Sequence, residues 1–193
     1  MIYNANDVYL VLYKGKDSIF DKLIRIIKTP KEPELPPIPP IPPEGWANPW
    51  NAGMPPSPPP MHLHDETPWS YSRKDLNTDY THVGIYIPEE DVTDPEDIDY
   101  YACREDAGVQ LYTESATDVD LIKVNLRSAD SVAILRFAEE TKFLNGSMIA
   151  DMGYPMLRKE GSMGSVEWAA YAFNLAFPER YTINKLIQFA EAS

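Results

Sequence analysis

Cysteine is almost absent: Cys103 is the only one in 193 residues. No disulfide can form within the chain and no cluster of thiolates can hold zinc, while the redox compartment stays open. There is also no apolar run of the roughly 18 residues that a membrane-crossing helix requires. The opening Met1-Ile2-Tyr3-Asn4-Ala5-Asn6-Asp7 lacks the basic start and apolar centre of a signal peptide. Positive charge is scarce, with 17 Lys and Arg against 30 Asp and Glu and a net charge of −13. That balance argues against a nucleic-acid footprint and against attraction to anionic membranes. It suits a soluble protein or one with a basic partner.

Proline is plentiful and concentrated, since 14 of the 19 prolines lie between Pro30 and Pro60. At this density proline excludes helix and sheet interiors and favours extended polyproline II. The plain interpretation of residues 30–70 is a disordered linker. Trp46, Trp50 and Trp69 are unusual in a linker, and they turn the reading toward an interaction arm that lies on a surface, either its own domain's or a neighbour's. The chain is therefore read as one domain over 1–193, with the proline-rich arm inserted at 30–70.

Around the arm the pattern is α+β. Val8 to Tyr13 is a short apolar run, as in a central strand covered on both faces. After Lys14-Gly15-Lys16-Asp17 a helix is expected, with Ile19, Phe20, Leu23, Ile24, Ile26 and Ile27 on its apolar face and Pro30 at its end. Tyr80 to Ile87 reads as a strand stopped by Pro88. Glu89 to Asp99 reads as a solvated acidic loop without calcium-loop spacing. Further strands are expected at Tyr100–Arg104, Val109–Thr113 and Val119–Val124. A helix opens at Ser128 with Val132, Leu135, Phe137 and Ala138 as its apolar positions, closed by Asn145-Gly146. Met148 to Gly161 reads as irregular. Ser165 to Phe177 reads as an apolar helix ended by Pro178, and Thr182 caps a last helix through Leu186, Ile187 and Phe189.

Two stretches carry chemistry. His82 stands at the start of a strand, where a side chain reaches the rim of a sheet, and Gly84 leaves the same face open to close approach. In Gly161-Ser162-Met163-Gly164-Ser165-Val166-Glu167-Trp168, glycines lead into a helix whose first turn holds Ser165. There helix N–H groups and the dipole favour an anionic nucleophile and an adjacent oxyanion. The plain alternatives are a strand histidine that only packs, and Ser165 as an N-cap with Glu167 in the first turn.

In order, the chain shows Asn6-Asp7-Val8, then Leu23-Ile24-Arg25 with Thr29, then Tyr80-Thr81-His82-Val83-Gly84-Ile85-Tyr86, and late Ser165-Val166-Glu167-Trp168-Ala169-Ala170-Tyr171. This order resembles the circularly permuted NlpC/P60 proteins of the papain-like fold over about three quarters of the chain, the arm excepted. The resemblance implies a mainly antiparallel sheet packed on helices. It also implies hydrolysis of amide, peptide or acyl-ester bonds by a nucleophile at the helix start, a strand histidine and a third polar residue that orients it. Carried over, Ser165 takes the nucleophile's place, His82 is the base, and Glu114 in Tyr112-Thr113-Glu114-Ser115-Ala116 is the orienting residue, ahead of Gln110. No cofactor and no metal are implied.

The chain departs from the family at the nucleophile, where Ser165 replaces cysteine. A serine hydroxyl is not ionised near neutral pH, and a helix dipole worth about 1 kcal/mol cannot make it so. Three readings follow: a fold kept for binding after catalysis was lost, a native serine hydrolase, or a cysteine deliberately replaced by serine. The first fits a structural component of an assembly such as a phage or viral particle, docking on protein partners through the arm. His62-Leu63-His64-Asp65 has no third partner at metal-ligand spacing and reads as surface polar residues. Cys103 reads as a buried strand residue. The tyrosine-rich strands read as core or interface as readily as a sugar platform.

Overall fold

A computed structural model describes residues 2–15, 78–105, 107–126 and 128–193. The expected first helix and the proline-rich arm, with Trp46, Trp50, Trp69, His62 and His64, lie outside the described residues.

Five antiparallel strands form the main sheet, in the order β6-β5-β3-β2-β7. They are β2 (Val8–Tyr13), β3 (His82–Tyr86), β5 (Asp97–Arg104), β6 (Gly108–Ser115) and β7 (Val119–Val124). β1 (Ile2–Tyr3) pairs with β4 (Val92–Thr93), so the acidic stretch expected as pure loop contributes a short strand and the start of β5. All residues of β2 are buried, as its unbroken apolar composition predicts for the middle of a sheet covered on both sides, and all of β3 are buried too, including His82, which was expected at the sheet's rim.

Alternation divides these strands between two cores. Val8, Leu10, Leu12, Val83, Ile85, Cys103, Val109 and Val124 face the helices. Tyr9, Val11, Tyr13, Tyr86, Tyr100 and Tyr112 occupy the opposite face. The tyrosine-rich surface is therefore buried packing. Fully buried Leu10, Leu12 and Ile85 each contribute about 1.5–3 kcal/mol by leaving water. Gly84 faces the tyrosine side, and what approaches its backbone is the chain's own Tyr100. A Cβ there would fall within the edge of that ring and 2.7 Å from the carbonyl oxygen of Tyr101.

On the helical side, α1 (Ser128–Glu140) buries Ser131, Ile134 and Ala138, at three and four spacing, while Val132 is exposed. Of the expected apolar face, Ala138 is buried and Phe137 packs against the core, while the exposed Val132 is the one corrected. The helix also ends five residues before Asn145, because Asn145 and Gly146 (β8) pair in parallel with Ser162 and Met163 (β9). Between them, Ser147 caps a short helix, α2 (Met148–Asp151), by accepting the N–H of Ala150. The stretch expected as irregular is thus a loop tied at its base by two paired segments.

α3 spans Ser165–Ala172 and buries Trp168 completely, with its indole Nε1 donating to Thr141 Oγ1 at 3.1 Å. It stops short of the expected Phe177 because Asn174 and Phe177 adopt left-handed backbone, with φ 55° at each. Thr182 caps α4 (Ile183–Ala192) through the N–H of Lys185. Among the described residues, no helix is long and apolar enough to cross a membrane.

Candidate functional site

Three pieces of chain converge on His82. It sits at the start of β3, completely buried, with its ring stacked on that of Tyr13, its register partner on β2. β3 and β5 are antiparallel with Ile85 opposite Tyr101, which brings the start of β3 beside the end of β5. Glu105, the first residue past β5, lies there with Oε1 3.5 Å from His82 Nε2. Asp151, the last residue of α2, approaches the other nitrogen, with Oδ2 3.4 Å from Nδ1. An imidazole faced by carboxylate oxygens at both nitrogens donates to both only as the imidazolium.

Asp151 also reaches Ser165. Its Oδ1 accepts the Ser165 N–H at 2.7 Å and the Ser165 hydroxyl at 2.9 Å. The hydroxyl oxygen in turn accepts the N–H of Val83, the residue after His82, at 3.3 Å. Gly164 makes this possible, because a Cβ at that position would press on Ala150 and sit 3.0 Å from Asp151 Oδ1. Gly164, not Ser165, is the N-cap residue of α3, and it has no side chain to cap with. The carboxylate of Asp151 does that work from outside the helix, occupying the position where free N–H groups and the dipole favour negative charge.

His82 and Ser165 are therefore brought together around one carboxylate. Glu114 is placed differently, accepting a 3.0 Å bond from Arg104, whose guanidinium also lies over the rings of Tyr13 and Tyr112. The carboxylates that face His82 among the described residues are Asp151 and Glu105, neither of which the sequence reading selected. Gln110 lies on β6 and is exposed.

The electrostatics of the cluster follow from burial. Burial raises the Glu105 carboxyl, but bonding and attraction to His82 outweigh it and hold the group below its ordinary range. Glu167, in the first turn of α3, is pushed up to about 7 by burial, partly opposed by Arg158, whose guanidinium lies 2.9 Å away. Cys103 is buried with its thiol toward the carbonyl oxygens of Met163 and Asn145. Burial raises it far above the thiol range, and Asp151, Glu167 and Glu105 add to the effect, so it stays a neutral thiol.

No family model, no curated protein and no solved structure matches this chain. The geometry of the cluster thus carries the functional argument alone.

Proposed function

We propose that this chain is a papain-like domain of the circularly permuted NlpC/P60 type whose hydrolytic chemistry is impaired. It serves as a structural or binding component of a larger assembly, such as a phage or viral particle. One observation carries the first part: the Ser165 hydroxyl donates to Asp151 Oδ1, and not to an imidazole nitrogen. A nucleophilic alcohol needs a base positioned to take its proton. In this cluster the imidazole faces carboxylates, and Ser165 is bonded as a structural residue. The proline-rich arm, with Trp46, Trp50 and Trp69, provides the means of docking on protein partners.

The second reading, an active hydrolase of peptide (including peptidoglycan), amide or acyl-ester bonds through Ser165, His82 and Glu114, is favoured by one fact. Ser165 and His82 share a single buried carboxylate, so a small rearrangement would join them.

The test is hydrolysis of peptidoglycan and of an acyl-ester panel by the unsubstituted chain, by Ser165→Cys and by His82→Ala. No turnover by the unsubstituted chain is expected. Activity in Ser165→Cys alone would mark a papain-like framework that lacks only its nucleophile, and silence in all three would mark scaffolding. Turnover by the unsubstituted chain that disappears in His82→Ala would overturn the proposal in favour of the hydrolase.

A further inference from the structure

His82, Glu105 and Asp151 also invite a reading that does not depend on the papain-like one. Each offers one ligand atom, a ring nitrogen or a carboxylate oxygen, and the three atoms lie within 4.8 Å of one another. Ligands held about 2.0–2.2 Å from one ion stand about 3.3–3.6 Å apart at tetrahedral angles, and somewhat over 4 Å apart across it. Asp151 Oδ2 stands 3.4 Å from Nδ1 and Glu105 Oε1 stands 3.5 Å from Nε2, so an ion on either nitrogen has one carboxylate in the first range and draws the other in toward it.

The charges leave a place for a cation. Asp151 is fully buried and Glu105 nearly so, and together they carry two negative charges against at most one on His82. Asp151 Oδ2 and Glu105 Oε2 are buried oxygens without a hydrogen-bond donor among the described residues. Buried carboxylate oxygens in that condition are costly unless they are paired or ligate a metal. Arg104 attracts Glu105, but its guanidinium is placed on Glu114 and over two tyrosine rings. Asp151 is anchored from behind by both polar groups of Ser165, which gives the buried ligand a fixed orientation.

We propose that His82, Glu105 and Asp151 form a binding site for a divalent transition-metal ion of the zinc class. One nitrogen with two carboxylate oxygens suits zinc or manganese, and the imidazole selects against magnesium and calcium. Water supplies the remaining positions on the side of Glu105, the most exposed of the three.

The experiment is calorimetric titration of the chelator-treated full chain with Zn²⁺ at pH 7 and at pH 5.5. One ion per chain is expected, with weaker binding at pH 5.5 than at pH 7, since the ligands bind deprotonated, and no competition from Mg²⁺. Glu105→Gln should weaken binding at least tenfold, since about 10–100-fold is usual for a disturbed metal shell. His82→Ala should abolish it. The double variant His62→Ala with His64→Ala should bind as the parent does, which separates this site from the arm's two histidines. In the unsubstituted chain the ring nitrogens of His82 should shift on adding Zn²⁺, a readout that needs no substitution. Absence of binding would overturn the proposal. So would binding that survives both Glu105→Gln and His82→Ala, or that vanishes with the arm histidines.

Discussion

Ser165 Oγ donates to Asp151 Oδ1 across 2.9 Å, and the same oxygen accepts the Ser165 N–H at 2.7 Å. A side chain fourteen residues upstream thus holds both polar groups of Ser165. Ser165→Ala would keep the N–H bond, lose the hydroxyl, and leave the buried N–H of Val83 without its side-chain acceptor. The expected cost is about 1–3 kcal/mol in chemical denaturation, the usual range for a buried group deprived of its partner. An unchanged midpoint would show that these contacts contribute nothing to stability.

Asp151 and Glu114 are expected to differ in what they do to the imidazole. Asp151→Asn alters the group 3.4 Å from His82 Nδ1, whereas Glu114→Ala releases Arg104. Nitrogen resonances of the His82 ring should move in the first variant and hold in the second. The reverse pattern would favour Glu114 as the orienting residue. Asp151→Ala should also cost about 3–5 kcal/mol, because it strips an ion-paired, hydrogen-bonded group from a buried cluster.

Gly84→Ala should destabilise by about 1–3 kcal/mol or more, since the added carbon meets an aromatic ring and a backbone oxygen. Combined with Tyr100→Ala, its cost should fall below the sum of the two single changes, because the ring is what it meets. Thermal melts of the three variants would decide this. Strict additivity would mean the strain lies in the backbone of Tyr101 instead.

Stability should also decline across a defined pH window. A carboxyl raised by folding contributes most when both states hold the proton, and that contribution is lost as pH rises from the unfolded value toward the folded one. For Glu167 the window runs from 4.5 to about 7. Glu167→Gln should flatten this decline and exceed the parent's stability at pH 8 by on the order of 1–3 kcal/mol, the lost Arg158 pair being a partial offset. A parent whose stability stays level between pH 4.5 and 7 would contradict the burial argument.

Much of this architecture was legible from pattern alone. Val8–Tyr13 and Val119–Val124 form strands over the expected bounds, and the strand bearing His82 forms within Tyr80–Ile87, because β-branched and aromatic runs signal sheet without help from distant contacts. Ser165 opens a helix as the glycines before it suggested. The misses share a cause. Glu105 and Asp151 sit where no periodicity operates, one in a turn after a strand and one ending a four-residue helix. Their importance comes from strand register and from the paired base of a loop, which only the fold supplies. Glu114 was chosen by resemblance to a strand ending, and the strand is there, with its carboxylate on Arg104.

The paired base of that loop has one more consequence. Asn145 N–H bonds the Gly161 carbonyl and Ser147 N–H bonds that of Met163, each at 3.0 Å, so the segment bearing Asp151 can leave the sheet only by breaking both. The amide of Ser165, at the first turn of α3, has no helical acceptor of its own and is protected by Asp151 alone among the described residues. Its hydrogen exchange should therefore follow the opening of the loop and not the fraying of the helix, which makes a single amide a clock for how often this buried cluster comes apart.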